Sequence, residues 1–282
     1  MVPSIGANWR RGQAILAEAG IESARLETRL MLEHVGGYRY NDLLMHPEKR
    51  LEASEQEQFE LLLGRRAAGE PLAYLVGEAE FRGRVFQVSP EVLIPRPETE
   101  VLIELALEKL HGLVAPTVID LGTGSGIVAI SLALECAAAK VSALDLSPGA
   151  LAVASNNAGR LGAKIDFYEG DWFTPLAGRQ FDMIVSNPPY VAEGDPHLEL
   201  NGLPHEPRMA LTDQELGGDG LACIRRIVAD AAAHLNPGGW LLFEHGYDQG
   251  EASRNLLTAA GFKAASTFPD LAGIDRVSGA HL

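Results

Sequence analysis

Two short stretches carry residues whose types and spacing suit chemistry. The first is Ser186-Asn187-Pro188-Pro189-Tyr190, which follows the apolar run Phe181-Asp182-Met183-Ile184-Val185. That run reads as a buried parallel strand. The Asn187 side chain offers both an amide donor and an amide acceptor. Two successive prolines donate no backbone hydrogen bond and fix their own φ. Each also turns its predecessor away from helix, so Asn187 and Pro188 are expected to be extended. A stiff strand end that presents carbonyls, an amide and the Tyr190 ring suits a planar polar group. A plain proline turn leaving a strand is the competing reading, and context decides between them.

The second stretch is Val118-Ile119-Asp120-Leu121-Gly122-Thr123-Gly124-Ser125-Gly126. A strand runs into three alternating glycines and then into a helix. Glycine permits the sharp turn and lets a ligand approach the backbone, and the helix N-terminus supplies free N–H groups and a positive dipole. The spacing is G-x-G-x-G, not the dinucleotide G-x-G-x-x-G. Asp120 would repel a pyrophosphate and attract a cation, which points away from NAD and towards a ligand with an amino group. S-adenosylmethionine has one, together with a cationic sulfonium. Asp145 ends the next strand, where an acid can take both hydroxyls of a ribose; Ser147 is better placed to cap the helix that follows. After the third strand come Gly170-Asp171-Trp172. An acid there can accept from an adenine amino group, and an indole can stack on the ring.

These residues need a sheet to hold them. From Thr117 onward, strands are expected over 117–121, 140–146, 164–168, 181–186 and 239–244, and helices over 127–138, 148–161, 220–235 and 248–260. Strand–helix alternation with apolar strands means a mostly parallel sheet with helices on both faces, and 262–268 with 275–281 would complete it. Residues 1 to about 70 read as helical: Ile15, Leu16 and Ala19 form one face, Leu26, Leu30 and Met31 another, Phe59, Leu62 and Leu63 a third. Gly36-Gly37 and His46-Pro47 interrupt them. A small helical bundle follows from several such faces. Beyond it, Phe81, Val85, Phe86 and Val88 surround Arg82-Gly83-Arg84, the pattern of a β-hairpin. Pro97, Glu98 and Glu100 mark a helix start. Arg96, pinned between Pro95 and Pro97, reads either as a solvated charge or as a stiffly held site residue, and its chemistry alone favours the first. The expected organisation is a helical bundle over 1–73, a hairpin linker over 74–94 and a catalytic domain over 95–282.

Bulk properties narrow the partners. The chain has 282 residues and a formal net charge of -15. Residues 1–70 carry 9 Lys and Arg against 11 Asp and Glu, so -13 of that charge lies beyond them. Sequence-independent gripping of nucleic acid needs basic surface, so no direct nucleic-acid partner is expected. Cys136 and Cys223 stand far apart with no Cys-x-x-Cys, which fits a reducing cytoplasm and argues against a disulfide framework or a zinc site. No apolar leader core is read near Met1. The apolar stretch 127–144 is broken by Glu135 and Lys140, as a helix followed by a strand would be, so no membrane association is expected.

Asp120-Leu121-Gly122-Thr123-Gly124-Ser125-Gly126, Asp145, Asp171-Trp172 and Asn187-Pro188-Pro189-Tyr190 resemble the class I S-adenosylmethionine-dependent N-methyltransferases, whose sheet is Rossmann-like. Within them the chain is similar to the protein-(glutamine-N5) methyltransferases of peptide-chain release factors. The closer match lies in Gly69-Glu70-Pro71-Leu72-Ala73-Tyr74, in Ile94-Pro95-Arg96-Pro97-Glu98-Thr99-Glu100, and in Glu206-Pro207-Arg208 with Ala210-Leu211. The resemblance covers nearly the whole chain. It implies that S-adenosylmethionine is bound by Asp120, Gly122 to Gly126, Asp145, Asp171, Trp172 and Asn187, and that the product is S-adenosylhomocysteine. It implies a class I release factor as protein substrate, recognised in part by the helical bundle. The Asn187 side-chain oxygen and the Pro188 carbonyl would accept the two hydrogens of a glutamine amide, with Pro189 completing the loop and Tyr190 packed on the flat side chain. Arg96 and Glu206 would organise the site or contact substrate. The nearest rival is N6-adenine methylation, which uses the same four-residue loop but requires base extrusion and a basic surface. A non-catalytic binding protein is disfavoured by the intact donor and acceptor motifs.

Overall fold

The computed structural model describes residues 2–200 and 202–282, in two compact units, Met1–Gly77 and Glu78–Leu282. The first unit is helical: α1 (Ile5–Glu18), α2 (Ala24–Gly36), α3 (Tyr40–Met45), α4 (Ala53–Ala67) and α5 (Leu72–Val76). Its core gathers Ile5, Leu16, Met31, Leu32, Phe59, Leu62 and Leu63. The inward face of α2 is Ala24, Thr28, Met31 and Leu32. Leu26, assigned to that face from its spacing, lies on the outside. Tyr74, expected to begin the hairpin region, is in α5, which Gly77 ends in a left-handed conformation.

The second unit opens with a hairpin, β1 (Glu78–Phe81) and β2 (Arg84–Gln87), turning at Arg82-Gly83. Helix α6 (Thr99–Leu110) follows, two residues after the expected start at Pro97. Then come β3 (Thr117–Leu121), α7 (Ile127–Glu135), β4 (Lys140–Asp145), α8 (Pro148–Leu161), β5 (Ile165–Glu169) and β6 (Phe181–Ser186). A short parallel pair, β7 (Val191–Glu193) and β8 (Thr212–Leu216), flanks α9 (Arg208–Leu211). The chain closes with α10 (Ala222–Ala231), β9 (Leu235–Glu244), α11 (Gly250–Ala259), β10 (Lys263–Pro269) and β11 (Asp275–His281).

Among the described residues, seven strands form one sheet in the order β10-β11-β9-β6-β3-β4-β5. β9, β6, β3, β4 and β5 are parallel, and β11 is antiparallel to both its neighbours. Alternation along each strand divides the side chains between two cores. Val118, Met183 and Leu242 face α6 and α7; Ile119, Ile184 and Leu241 face α10 and α11. With both faces covered, the central strands carry largely apolar runs, which is why they were legible. The order reverses at β3: its successor β4 lies on one side and β6 on the other. That switch point leaves a crevice beyond the carboxyl ends of β3 and β6. No described helix is long and apolar enough to cross a membrane.

Candidate active site

The glycine loop bridges the end of β3 and the start of α7. Gly122, Gly124 and Gly126 all have positive φ, at 71°, 55° and 85°, a region open to glycine with little strain. At Gly126 space is also limiting, since a Cβ would lie 2.9 Å from Ile130 Cδ1 and 3.2 Å from Ala154 Cβ. The loop is fastened to β4: the N–H groups of Gly122 and Thr123 donate to the Leu144 carbonyl at 2.8 and 2.9 Å. Gly124 N–H donates to Asp145 Oδ2 at 2.9 Å, and Ser147 N–H to Asp145 Oδ1 at 2.9 Å. Burial still raises the Asp145 pKa, because these bonds only partly offset lost hydration.

Asp120 is the most perturbed acid of the loop. It is 1% exposed. Its Oδ2 accepts from Thr123 Oγ1 at 2.7 Å and from Ala129 N–H at 3.2 Å. Its Oδ1 has no hydrogen-bond partner among the described residues. Burial pushes its carboxyl up to about 7. On the far side of the loop, Trp172 adopts a positive φ of 47°, a conformation that strains a bulky residue and clusters at functional sites. Its ring edge reaches to 3.8 Å from where a Gly122 Cβ would stand. Asp171 is ion-paired with Arg226, Oδ2 to Nη2, at 2.5 Å.

The Asn187–Tyr190 loop leaves β6 one strand away. The Ser186 hydroxyl donates to the Leu121 carbonyl at 2.8 Å, tying the last residues of β6 and β3 together. Asn187 Nδ2 donates to Thr99 Oγ1 at 3.2 Å. Thr99 Oγ1 donates to Glu244 Oε2 at 2.8 Å, and Tyr190 Oη donates to Glu244 Oε1 at 3.1 Å. The register pairs Ser186 with Phe243, so Asn187 and Glu244 are the next residues on neighbouring strands. Burial raises the pKa of both Tyr190 and Glu244; for Tyr190 the adjacent Glu244 adds to it, and for Glu244 the two hydroxyl donors oppose it. Behind the loop, Gly220 (φ 75°) packs so closely that a Cβ would lie 2.2 Å from the Tyr190 carbonyl oxygen. Gln249 Nε2 donates to that same carbonyl at 3.0 Å. The side chain of Glu206 is 2% exposed; its Oε2 accepts from Ile94 N–H at 3.0 Å, and its Oε1 forms an ion pair with Arg96.

One cavity brings these parts together. Of the residues singled out from sequence, Arg96, Asp120, Gly122, Thr123, Gly124, Ser125, Asp145, Asp171, Trp172, Asn187 and Pro189 line it. Gly126, Pro188, Tyr190 and Glu206 are not in its wall: Gly126 caps α7, Pro188 is buried, Tyr190 lies against Glu244, and Glu206 supports Arg96. Arg96 is therefore no free surface charge. Sequence reasoning missed Thr99, Arg226 and Glu244. For Glu244 a signal existed: an acid at the carboxyl end of an apolar parallel strand, as with Asp120 and Asp145.

Residues 8–77 match the family model for the PrmC N-terminal domain, and residues 98–201 that for the methyltransferase small domain. A release factor glutamine methyltransferase of Bordetella pertussis is 49% identical over 95% of this chain and 98% of its own. One from Vibrio cholerae is 47% identical over 99% of this chain and 96% of its own. This chain belongs to the release factor glutamine methyltransferase family. A crystal structure of a methyltransferase from Pyrococcus furiosus shares the fold, with a TM-score of 0.53 at 17% identity over 82% of this chain and 98% of that one.

Membership in the release factor glutamine methyltransferases makes the chain an S-adenosylmethionine-dependent enzyme, and the residues fit that group. Three carboxylates, glycine backbone and an indole suit a ligand that is cationic, hydroxyl-bearing and planar. The unpartnered Asp120 oxygen is a buried acceptor of the kind that costs free energy until it is satisfied.

Proposed function

We propose that this chain methylates the N5 amide nitrogen of the glutamine in the Gly-Gly-Gln motif of class I release factors. The observation that carries the reading is the placement of Asn187 and Pro189 in the wall of the cavity that the glycine loop also lines. Asp120 and the loop from Gly122 to Gly126 hold the donor's amino acid portion, Asp145 its ribose, and Asp171 with Trp172 its adenine. The donor supplies a methyl group already activated on a sulfonium.

The chain's own residues must deal with the acceptor. A glutamine amide nitrogen is a poor nucleophile because its lone pair is delocalised into the carbonyl. The Asn187 Oδ1 and the Pro188 carbonyl accept its two hydrogens and hold it in line for attack. Both contacts strengthen as positive charge develops on nitrogen, so they favour the transition state over the ground state. Tyr190 packs on the flat side chain. The proton departs after transfer, and no strong base is needed. Arg96, held by Glu206, orders the cavity mouth. The helical unit through Gly77, four residues beyond the bundle expected over 1–73, recognises the release factor, with the hairpin region to 94 as linker and 95–282 as the methyltransferase domain. Exposed Leu44 and Met45 on α3 are apolar surface of the kind that partners cover. The reaction belongs to the cytoplasm, where release factors act.

Radiolabelled donor incubated with a release factor should label the protein, and should not label one whose Gly-Gly-Gln glutamine is replaced. Equal labelling of both, or labelling of DNA alone, would overturn the proposal. Asn187→Ala should abolish transfer and leave calorimetric donor binding largely intact. Lost donor binding in the folded variant would contradict the acceptor role of Asn187.

A further inference from the structure

The acceptor loop ends on a buried hydrogen-bond chain that reaches two residues outside it, Thr99 and Glu244. Thr99 begins α6, Glu244 ends β9, and Asn187 and Tyr190 flank the two prolines after β6. Thr99 is fully buried and Glu244 is 1% exposed. Their side-chain polar atoms are spent on one another and on the acceptor loop, Thr99 on Asn187 and Glu244 on Tyr190.

The direction of the chain follows from counting protons. An ionised carboxylate only accepts. In its ionised form Glu244 takes the hydroxyl hydrogens of Thr99 and Tyr190 on its two oxygens. Thr99 has one hydroxyl hydrogen, and it is spent. Its oxygen can then only accept from Asn187, so the Asn187 group that faces Thr99 must be the NH2. The two ends of an amide look alike by shape, and the hydrogen-bond network is what distinguishes them. With the NH2 held at Thr99, Oδ1 is turned away from it and is free to accept. The reversed amide would offer a glutamine substrate two donors against its own two donors. Burial, with Glu98, raises the Glu244 pKa, and the Thr99 and Tyr190 hydroxyls and Arg276 oppose that rise; a protonated Glu244 could donate and reverse the chain, so the ionised form is part of the proposal.

We propose that Glu244, acting through Thr99, is the positioning residue that sets the Asn187 amide with its oxygen towards the acceptor nitrogen. The inference rests on the acceptor role given to Asn187 above. It adds two residues, from strands and helices distant in sequence, that decide which face of that side chain the substrate meets.

Thr99→Val is the direct test, because it keeps the shape and removes both hydrogen bonds. Methyl transfer to a release factor is measured with Thr99→Ser alongside, together with donor affinity by calorimetry. Thr99→Val should lower kcat by about tenfold or more, the order expected for losing one orienting hydrogen bond of about 1.4 kcal/mol. Donor affinity and KM for the release factor should stay within about twofold, and Thr99→Ser should restore kcat. Should the valine variant fail to fold, Thr99→Ala is read in its place by the same criteria. Undiminished kcat in the valine or alanine variant, a loss carried by KM alone, or equal loss in Thr99→Ser overturns the proposal. A wild-type enzyme that labels no release factor condemns the proposed function instead, so the two failures are told apart.

Discussion

Replacing Asp120 by Asn tests the electrostatics of the donor half of the site. Burial raises the Asp120 pKa from 3.8 to about 7. At about 1.4 kcal/mol per pH unit, ionising it in the fold costs roughly 4 kcal/mol more than in the unfolded chain. Between those two pH values the folded protein holds a proton that the unfolded chain has lost. Stability therefore falls as pH rises through that window and stays at its lower level above it. Asn keeps the acceptor for Thr123 and Ala129 but leaves its own NH2 unpaired, at a cost of about 1–3 kcal/mol. The variant should be more stable than wild type near pH 8 by the difference, about 1–3 kcal/mol, and should lose that advantage near pH 4. Urea midpoints at the two pH values read this directly. Binding of S-adenosylhomocysteine should show the opposite cost. Its amino group prefers the ionised Asp120, so below about pH 7 the affinity ratio of wild type to variant should fall by about tenfold per pH unit. Taking the ratio cancels titration of the ligand itself. A ratio that is flat from about pH 5.5 to 8, or a variant less stable near pH 8, would refute the assignment of a buried, raised carboxyl at this site.

Gly220→Ala should cut kcat with little change in donor affinity, because its Cβ would collide at 2.2 Å with the Tyr190 carbonyl and displace the acceptor loop; a variant with wild-type kcat would show that the loop tolerates the shift. Glu206→Ala strands Arg96 and the Ile94 N–H, and should lower unfolding free energy by about 3 kcal/mol, the lower end for breaking a buried pair because Arg96 is partly solvated. Glu206→Gln keeps one acceptor oxygen and turns its NH2 towards the other donor, so it should recover only part of that loss in the same denaturant titration.

The parts of the fold legible in the sequence were those with a single cause. β3, β6 and α8 span the expected residues because apolar runs and a Ser147-Pro148 start leave one solution. β9 was expected from 239 and begins at Leu235. Its first residues include Pro237-Gly238, ordinarily turn chemistry, which the sheet accommodates by a register shift against β6 between Phe181 and Met183. The β7–β8 pair was not expected at all, since three-residue and five-residue strands separated by α9 leave no alternation to read. The site divides in the same way. Glycines and prolines announce themselves because their backbone constraints are local. Thr99, Arg226 and Glu244 act through partners 54 to 145 positions away, and no local pattern records such a pairing. Arg96 misled for the same reason: the carboxylate that holds it, Glu206, stands 110 positions on.

The separation between donor and acceptor loops is a property of the sheet rather than of either loop. Leu121 and Ser186 are register partners on adjacent parallel strands, joined again by the Ser186 hydroxyl. Gly122 and Asn187 are the next residues. The two loops therefore start about 4.8 Å apart, the spacing of neighbouring strands. Insertions farther along either loop leave those starting points where they are. A reaction that needs a poor nucleophile held close to a methyl group gains most from fixed geometry, and a hydrogen-bonded sheet is the least deformable frame the chain has. The same reasoning explains why the residues that aim the acceptor come from β9 and α6. Glu244 extends the neighbouring strand by one residue at the same level, so the chain from Glu244 through Thr99 to Asn187 is referenced to the sheet edge at both ends.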